Sequence, residues 1–240
     1  FSTMHEFGHG LYESNVGRGL ARTGLQRGAS MAWHESQSRM WENLIGRGRP
    51  HWDWAMPVMR DVFPGEFDSI TPEQMYRALN KLGPSFIRTE ADELTYNLHI
   101  ILRYELENEL LEGTLGVADA PGAWNERVQR YLGITPRTAR EGILQDIHWS
   151  STFGYFPTYS LGNILSAQLW NKALEAAPQI PDEIATGKFA TLLGWLRENV
   201  HRHGRKYTPS QLVQRATGSP LTVQPYADYL RRKFSDIYDL

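Results

Sequence analysis

Residues 90–112 read Glu-Ala-Asp-Glu-Leu-Thr-Tyr-Asn-Leu-His-Ile-Ile-Leu-Arg-Tyr-Glu-Leu-Glu-Asn-Glu-Leu-Leu-Glu. Leu94, Leu98, Ile101, Leu102, Glu105, Leu106 and Leu110 recur at the three- and four-residue intervals of a helix, and Gly113 follows as a stop. The same period continues outward in both directions. Residues 3–15 suit a first helix ending near Gly17 and Gly19. Residues 29–46 suit a second, with Met31, Trp33, Met40, Trp41, Leu44 and Ile45 apolar and Gly46 at its close. Thr71-Pro72-Glu73-Gln74 combines an N-cap residue, proline at the first helical position and polar side chains behind it. Further helices are expected over 122–132, 136–147, 159–177, 183–202, 209–217 and 225–238, several opened by Thr-Pro or Pro-acidic starts. Only 84–90, around Ser85–Arg88, suits a short strand or hairpin. The fold class is all-α, and no repeat or linker divides 1–240 into separate domains.

Composition narrows the function. The 240 residues carry 25 Lys and Arg against 27 Asp and Glu, a formal net charge of −2 that argues against a dedicated nucleic-acid binder. No apolar run approaches the roughly 18 residues that cross a bilayer. The absence of cysteine removes disulfides, thiolate ligands and a cysteine nucleophile together. With no signal peptide in view, it also gives a cytoplasmic expectation. Functional residues begin at position 5, and the start Phe1-Ser2-Thr3-Met4 leads us to expect a piece of a longer chain.

His5-Glu6-Phe7-Gly8-His9 has the form H-E-x-x-H. On a helix the two imidazoles lie one turn apart on one face and can reach one cation, with Glu6 available to take a proton from an attacking water. Two neutral nitrogen donors suit zinc and call for a third protein ligand. No histidine follows at the metzincin spacing, since position 12 is Tyr and position 15 is Asn. The best remaining donor is Glu35, in Trp33-His34-Glu35-Ser36-Gln37, if two antiparallel helices meet there. His34 is the rival, but it points roughly 100° away around the helix. The plain alternative makes these side chains a solvated helix surface.

Beside this motif stand three further blocks: His34-Glu35-Ser36-Gln37, Ile87-Arg88-Thr89-Glu90-Ala91-Asp92 and Gly142-Ile143-Leu144-Gln145-Asp146-Ile147-His148-Trp149. Together they resemble the M32 metallocarboxypeptidases, the carboxypeptidase Taq family, over most of the chain. Its D-x-R-x-T signature is absent, so the resemblance is to the C-terminal half of the family's longer proteins. It implies a zincin-type fold, half of a mostly helical, clam-like groove. It implies one zinc per chain, replaceable by cobalt, on His5, His9 and Glu35, with Glu6 as general base. It further implies an exopeptidase that removes single residues from peptides with a free C-terminus, as a homodimer when full length.

The same resemblance makes Arg88 the candidate for gripping the substrate carboxylate, a task suited to a guanidinium. Otherwise Arg88 reads as a surface salt bridge to Glu90 or Asp92. Asp92 and Gln37 are candidates for orienting a ligand imidazole from behind. His148 and Tyr159, with Tyr155 close behind, are candidates for donating to the oxyanion, and an aromatic core is the alternative for at least one tyrosine. The basic stretch His201-Arg202-His203-Gly204-Arg205-Lys206 reads as a solvated helix C-terminus. Two other functions stand as alternatives: a non-catalytic metal-binding or dimerising fragment, and a zinc endopeptidase or dipeptidyl carboxypeptidase.

Overall fold

Two of the three Thr-Pro pairs, at Thr71 and Thr208, become helix starts because threonine can cap what proline begins. A computed structural model describes all residues, 1–240. In it Thr71 and Gln74 bond reciprocally side chain to backbone at the start of α4 (Pro72–Leu79), and Thr208 and Gln211 do the same at α11 (Pro209–Thr217). The other helices are α1 (Ser2–Ser14), α2 (Met31–Arg39), α3 (Arg49–Val62), α5 (Tyr96–Glu112), α6 (Ala120–Leu132), α7 (His148–Ser151), α8 (Pro157–Ala176), α9 (Ile180–Ile184), α10 (Ala190–Asn199) and α12 (Gln224–Tyr238). There is no β-strand, and no helix is long and apolar enough to cross a membrane.

The chain divides into two compact units, Phe1–Leu79 with Leu161–Leu240, and Asn80–Ser160. The second boundary lies inside α8, which is why no linker marks it in the sequence. The core of the first unit gathers Tyr12, Trp33, Met40, Trp41, Leu165, Leu169, Leu192, Leu196 and Leu212. That of the second joins Leu102, Leu106, Trp124, Val128 and Leu132, with Tyr96, Ile100 and Phe156 in a smaller cluster.

Four expectations need correction, each because side chains or glycine outcompete a regular backbone. Residues 136–147 are not a helix: Glu141 accepts from the Arg137 N–H and Thr138 from the Glu141 N–H, leaving a 3₁₀ turn at Ile143–Gln145. The 84–90 segment forms no strand, because the side-chain amide of Gln145 takes the bonds a partner strand would make, to the Arg88 N–H and the Phe86 carbonyl. The 90–112 helix starts at Tyr96, after a turn in which Asp92 accepts from the Thr95 N–H and hydroxyl. The 183–202 helix is two helices, interrupted at Gly187, whose φ of +75° suits glycine.

In the first unit α1 and α2 pack against each other, and their partners run in opposite order. His5 meets Glu42, Gly8 meets Ser38, His9 meets Glu35 and Glu13 meets His34. The helices are therefore antiparallel. Gly8 permits the approach, since a Cβ there would lie 2.7 Å from Ser38 Cα and 2.8 Å from the Gln37 carbonyl oxygen. After α2 the helix continues as a π-helical stretch, Met40–Gly46, in which the Arg47 N–H bonds back to the Glu42 carbonyl. His201, expected in solvent, is instead fully buried, its Nε2 2.8 Å from Gln37 Oε1 and its ring beside Tyr12.

Two predictions follow from this packing. Replacing a helical glycine by alanine normally stabilises by about 1 kcal/mol. Gly10→Ala, with nothing within 4 Å of the new Cβ, should show that gain in thermal unfolding. Gly8→Ala should instead destabilise by about 1–3 kcal/mol, because crowding outweighs propensity. Equal shifts in the two variants would contradict the close approach.

Burial first, and the Arg197 charge second, lower His201 from 6.5 to about 3. Between those values the unfolded chain binds the extra proton. Stability is therefore full above pH 6.5 and falls as pH drops toward 3. Thermal midpoints measured from pH 7 to 4.5 should decline, and less steeply in His201→Asn; identical slopes would contradict the assignment.

Candidate metal centre and buried charge cluster

Because α1 and α2 are antiparallel and close, three donor side chains converge in the first unit. One ligand atom each from His5, His9 and Glu35 lies within 4.8 Å of the other two. Glu35 Oε2 is 3.6 Å from His5 Nε2, and Oε1 is 3.9 Å from His9 Nε2. The carboxylate is buried and oriented, accepting from the Ser38 hydroxyl at 2.9 Å with Arg39 Nε 3.8 Å away. Gly162 of α8 packs against the backbone of Glu35, where an added Cβ would overlap the Glu35 Cβ. Two imidazoles facing one carboxylate make a set that fits a divalent cation such as zinc. Burial lowers the His9 pKa first, with Glu35 opposing and His5 adding to the fall, which favours the neutral imidazole that a metal needs. Glu6, next to His5 on α1, is exposed.

His34 turns elsewhere, with Nε2 2.8 Å from Glu13 Oε1. Neither residue expected to back a ligand imidazole does so. Gln37 is taken by His201 and Ser36, and Asp92 by Thr95 and the Gly83 N–H. Behind His5 stands Glu42, its Oε2 2.8 Å from Nδ1 and 3.1 Å from Arg39 Nη1. Burial alone would raise the Glu42 pKa, but the His5 hydrogen bond and the Arg39 charge outweigh it and hold the group below its ordinary value. The sequence signal for Glu42 was its place seven residues after Glu35, two helical turns along one face.

The second unit holds Arg88, His148, Tyr155 and Tyr159 together around Asp146, a residue of the Gly142–Trp149 block. Asp146 accepts from Arg88 Nε at 3.1 Å and Nη2 at 2.9 Å, and from Arg103 Nε at 2.6 Å. Arg88 is buried and does not pair with Glu90 or Asp92; its Nη1 donates to the Tyr96 hydroxyl at 3.1 Å and its guanidinium lies 4.6 Å over the Tyr159 ring. Gln145 accepts from Arg103 Nη2 as well as from the Arg88 N–H. His148 stacks on Phe156, with Nε2 3.1 Å from the Tyr159 hydroxyl and Nδ1 3.5 Å from Asp146. Tyr155 packs beside both rings, 5.6 Å from His148 and 5.4 Å from Tyr159.

This cluster is electrostatically lopsided. Arg88, Arg103 and Asp146 are all buried, two cations against one anion. The imbalance shows in the neighbours: burial, opposed by Asp146 but reinforced by Arg88 and Arg103, lowers the His148 pKa, and burial with the same two arginines lowers His99 to about 3. Both imidazoles are neutral at pH 7, so neither adds to the charge of the two guanidiniums.

Comparison with known proteins gives the family. The family model described as carboxypeptidase Taq (M32) metallopeptidase matches residues 1–234. Carboxypeptidase 1 of Bacillus subtilis is 46% identical over 99% of this chain and 48% of its own length. Thermostable carboxypeptidase 1 of Thermus thermophilus is 41% identical over 99% of this chain and 47% of its own. The crystal structure of the M32 carboxypeptidase from Deinococcus radiodurans superposes with a TM-score of 0.97 at 48% identity, covering 100% of this chain and 48% of that one. The chain thus spans about half the length of the relatives it matches, and it belongs to the M32 metallopeptidase family.

Proposed function

We propose that this chain forms the catalytic portion of a zinc carboxypeptidase that releases single residues from peptides with a free C-terminus. The observation that carries the reading is the convergence of His5, His9 and Glu35 donor atoms within 4.8 Å. These three residues hold the ion. Zinc, when bound, supplies Lewis-acid polarisation of a peptide carbonyl and acidifies water near neutral pH, and cobalt can stand in for it. Glu6 takes the proton of the attacking water and passes it to the leaving amine. His148 is neutral, and the Tyr159 hydroxyl beside its Nε2 is the hydrogen-bond donor for the developing oxyanion, with Tyr155 packing the pair.

The lopsided charge cluster supports an exopeptidase over an endopeptidase. A substrate carboxylate would balance the excess cation of Arg88, Arg103 and Asp146 and accept the remaining guanidinium hydrogens of Arg88. An internal peptide bond brings no such charge. Within this reading the full-length protein works as a cytoplasmic homodimer.

The experiment compares a peptide with its C-terminally amidated form and sizes the products by mass spectrometry. Stepwise loss of one residue from the free form, and none from the amide, is expected. Equal cleavage of both, or losses of two residues at a time, would overturn the assignment. In the same assay Glu6→Gln should retain zinc while kcat falls by about 10²–10⁴.

A further inference from the structure

The pairing of His5 Nδ1 with Glu42 is the shortest polar contact either ligand imidazole makes. Imidazole has two nitrogens, and whichever is protonated cannot donate a lone pair to a metal. A carboxylate at Nδ1 draws the proton there and leaves Nε2, the nitrogen that faces Glu35, as the donor. His9 has no such support, since its buried Nδ1 meets no protein hydrogen-bond partner.

Glu42 is itself held. Arg39 Nη1 donates to it at 3.1 Å while Arg39 Nε lies 3.8 Å from Glu35, so one guanidinium spans both carboxylates. The backbone of Glu42 is fixed by the π-type bond from Arg47.

We propose that Glu42 is a positioning residue for metal binding: it sets the tautomer and orientation of His5 through Nδ1, and Arg39 locks it in register with Glu35. The inference rests on the metal reading above and adds a residue to it.

The test strips the protein with a chelator and titrates it with Zn²⁺ against a chromophoric competitor, for the native sequence, Glu42→Gln and Glu42→Asp. Glu42→Gln should bind zinc about 10–100-fold more weakly while the stripped protein keeps its thermal midpoint. Glu42→Asp withdraws the carboxylate by one methylene, keeps its charge, and should also lose affinity; it decides the matter if the glutamine variant does not fold. Loaded with Co²⁺, Glu42→Gln should show shifted visible bands. Native affinity in both variants overturns the role of Glu42 and leaves the metal reading intact. A loss of affinity matched by an equal loss of stability in the stripped protein makes Glu42 merely structural and also overturns it. Failure of the native sequence to bind zinc overturns both readings.

Discussion

The arrangement of the first unit depends on how closely two antiparallel helices can approach at Gly8. Helix axes with ordinary side chains at the contact lie about 8–10 Å apart. A glycine whose missing Cβ would collide with the facing backbone lets α1 approach α2 where any side chain would hold it off. The register that results is shared by every pair along the seam, from His5 with Glu42 to Glu13 with His34. Glycine within a helix costs about 1 kcal/mol against alanine. Here that cost is set against close packing on both sides of α2, with Gly8 against Ser38 and Gln37 and Gly162 against the backbone and Cβ of Glu35.

The second unit solves a different problem. Replacing a buried ion pair by apolar groups is often neutral or stabilising, so such a pair is weak evidence for stability on its own. A buried cluster of two arginines and one aspartate is harder still to justify by folding alone. Its geometry is nevertheless well supported. Gln145 ties Arg103 to the backbone at Arg88, and Asp146 receives three guanidinium bonds. Under the proposed reading a substrate carboxylate would meet an arrangement that need not reorganise, which is where preorganised electrostatics gain their strength.

Much of this was legible in the sequence, for reasons that can be named. Long amphipathic or punctuated stretches carried the helices, since Thr-Pro and terminal glycines act within a single turn. The meeting of His5, His9 and Glu35 was legible because two of them share a helix face and the third requires only one helix pairing. What escaped detection depends on partners distant in sequence or on local competition. Glu141 and Thr138 capturing main-chain N–H groups dissolved an expected helix. Gln145 replacing a strand partner is a contact 57 residues away. Asp146 stood in a motif block, but its role showed only with Arg88 and Arg103 on either side of it, and His201 looked solvated until Gln37 was found against it. Glu42 lay beyond the block of sequence that drew attention to Glu35.

The π-helical stretch after Arg39 has a consequence for how this part of the chain can vary in length. Its backbone bonds skip one residue more than those of an α-helix, so it could lose a residue and still close its hydrogen bonds. A deletion between Glu35 and Glu42 would nonetheless swing the second carboxylate about 100° around the axis, off the edge of His5, while the first stayed in place. Met40 and Trp41, both buried in the core, would rotate with it. Point changes in this segment can be absorbed by repacking, whereas insertions and deletions cannot, so alignments of related chains should run without gaps from His34 through Gly46.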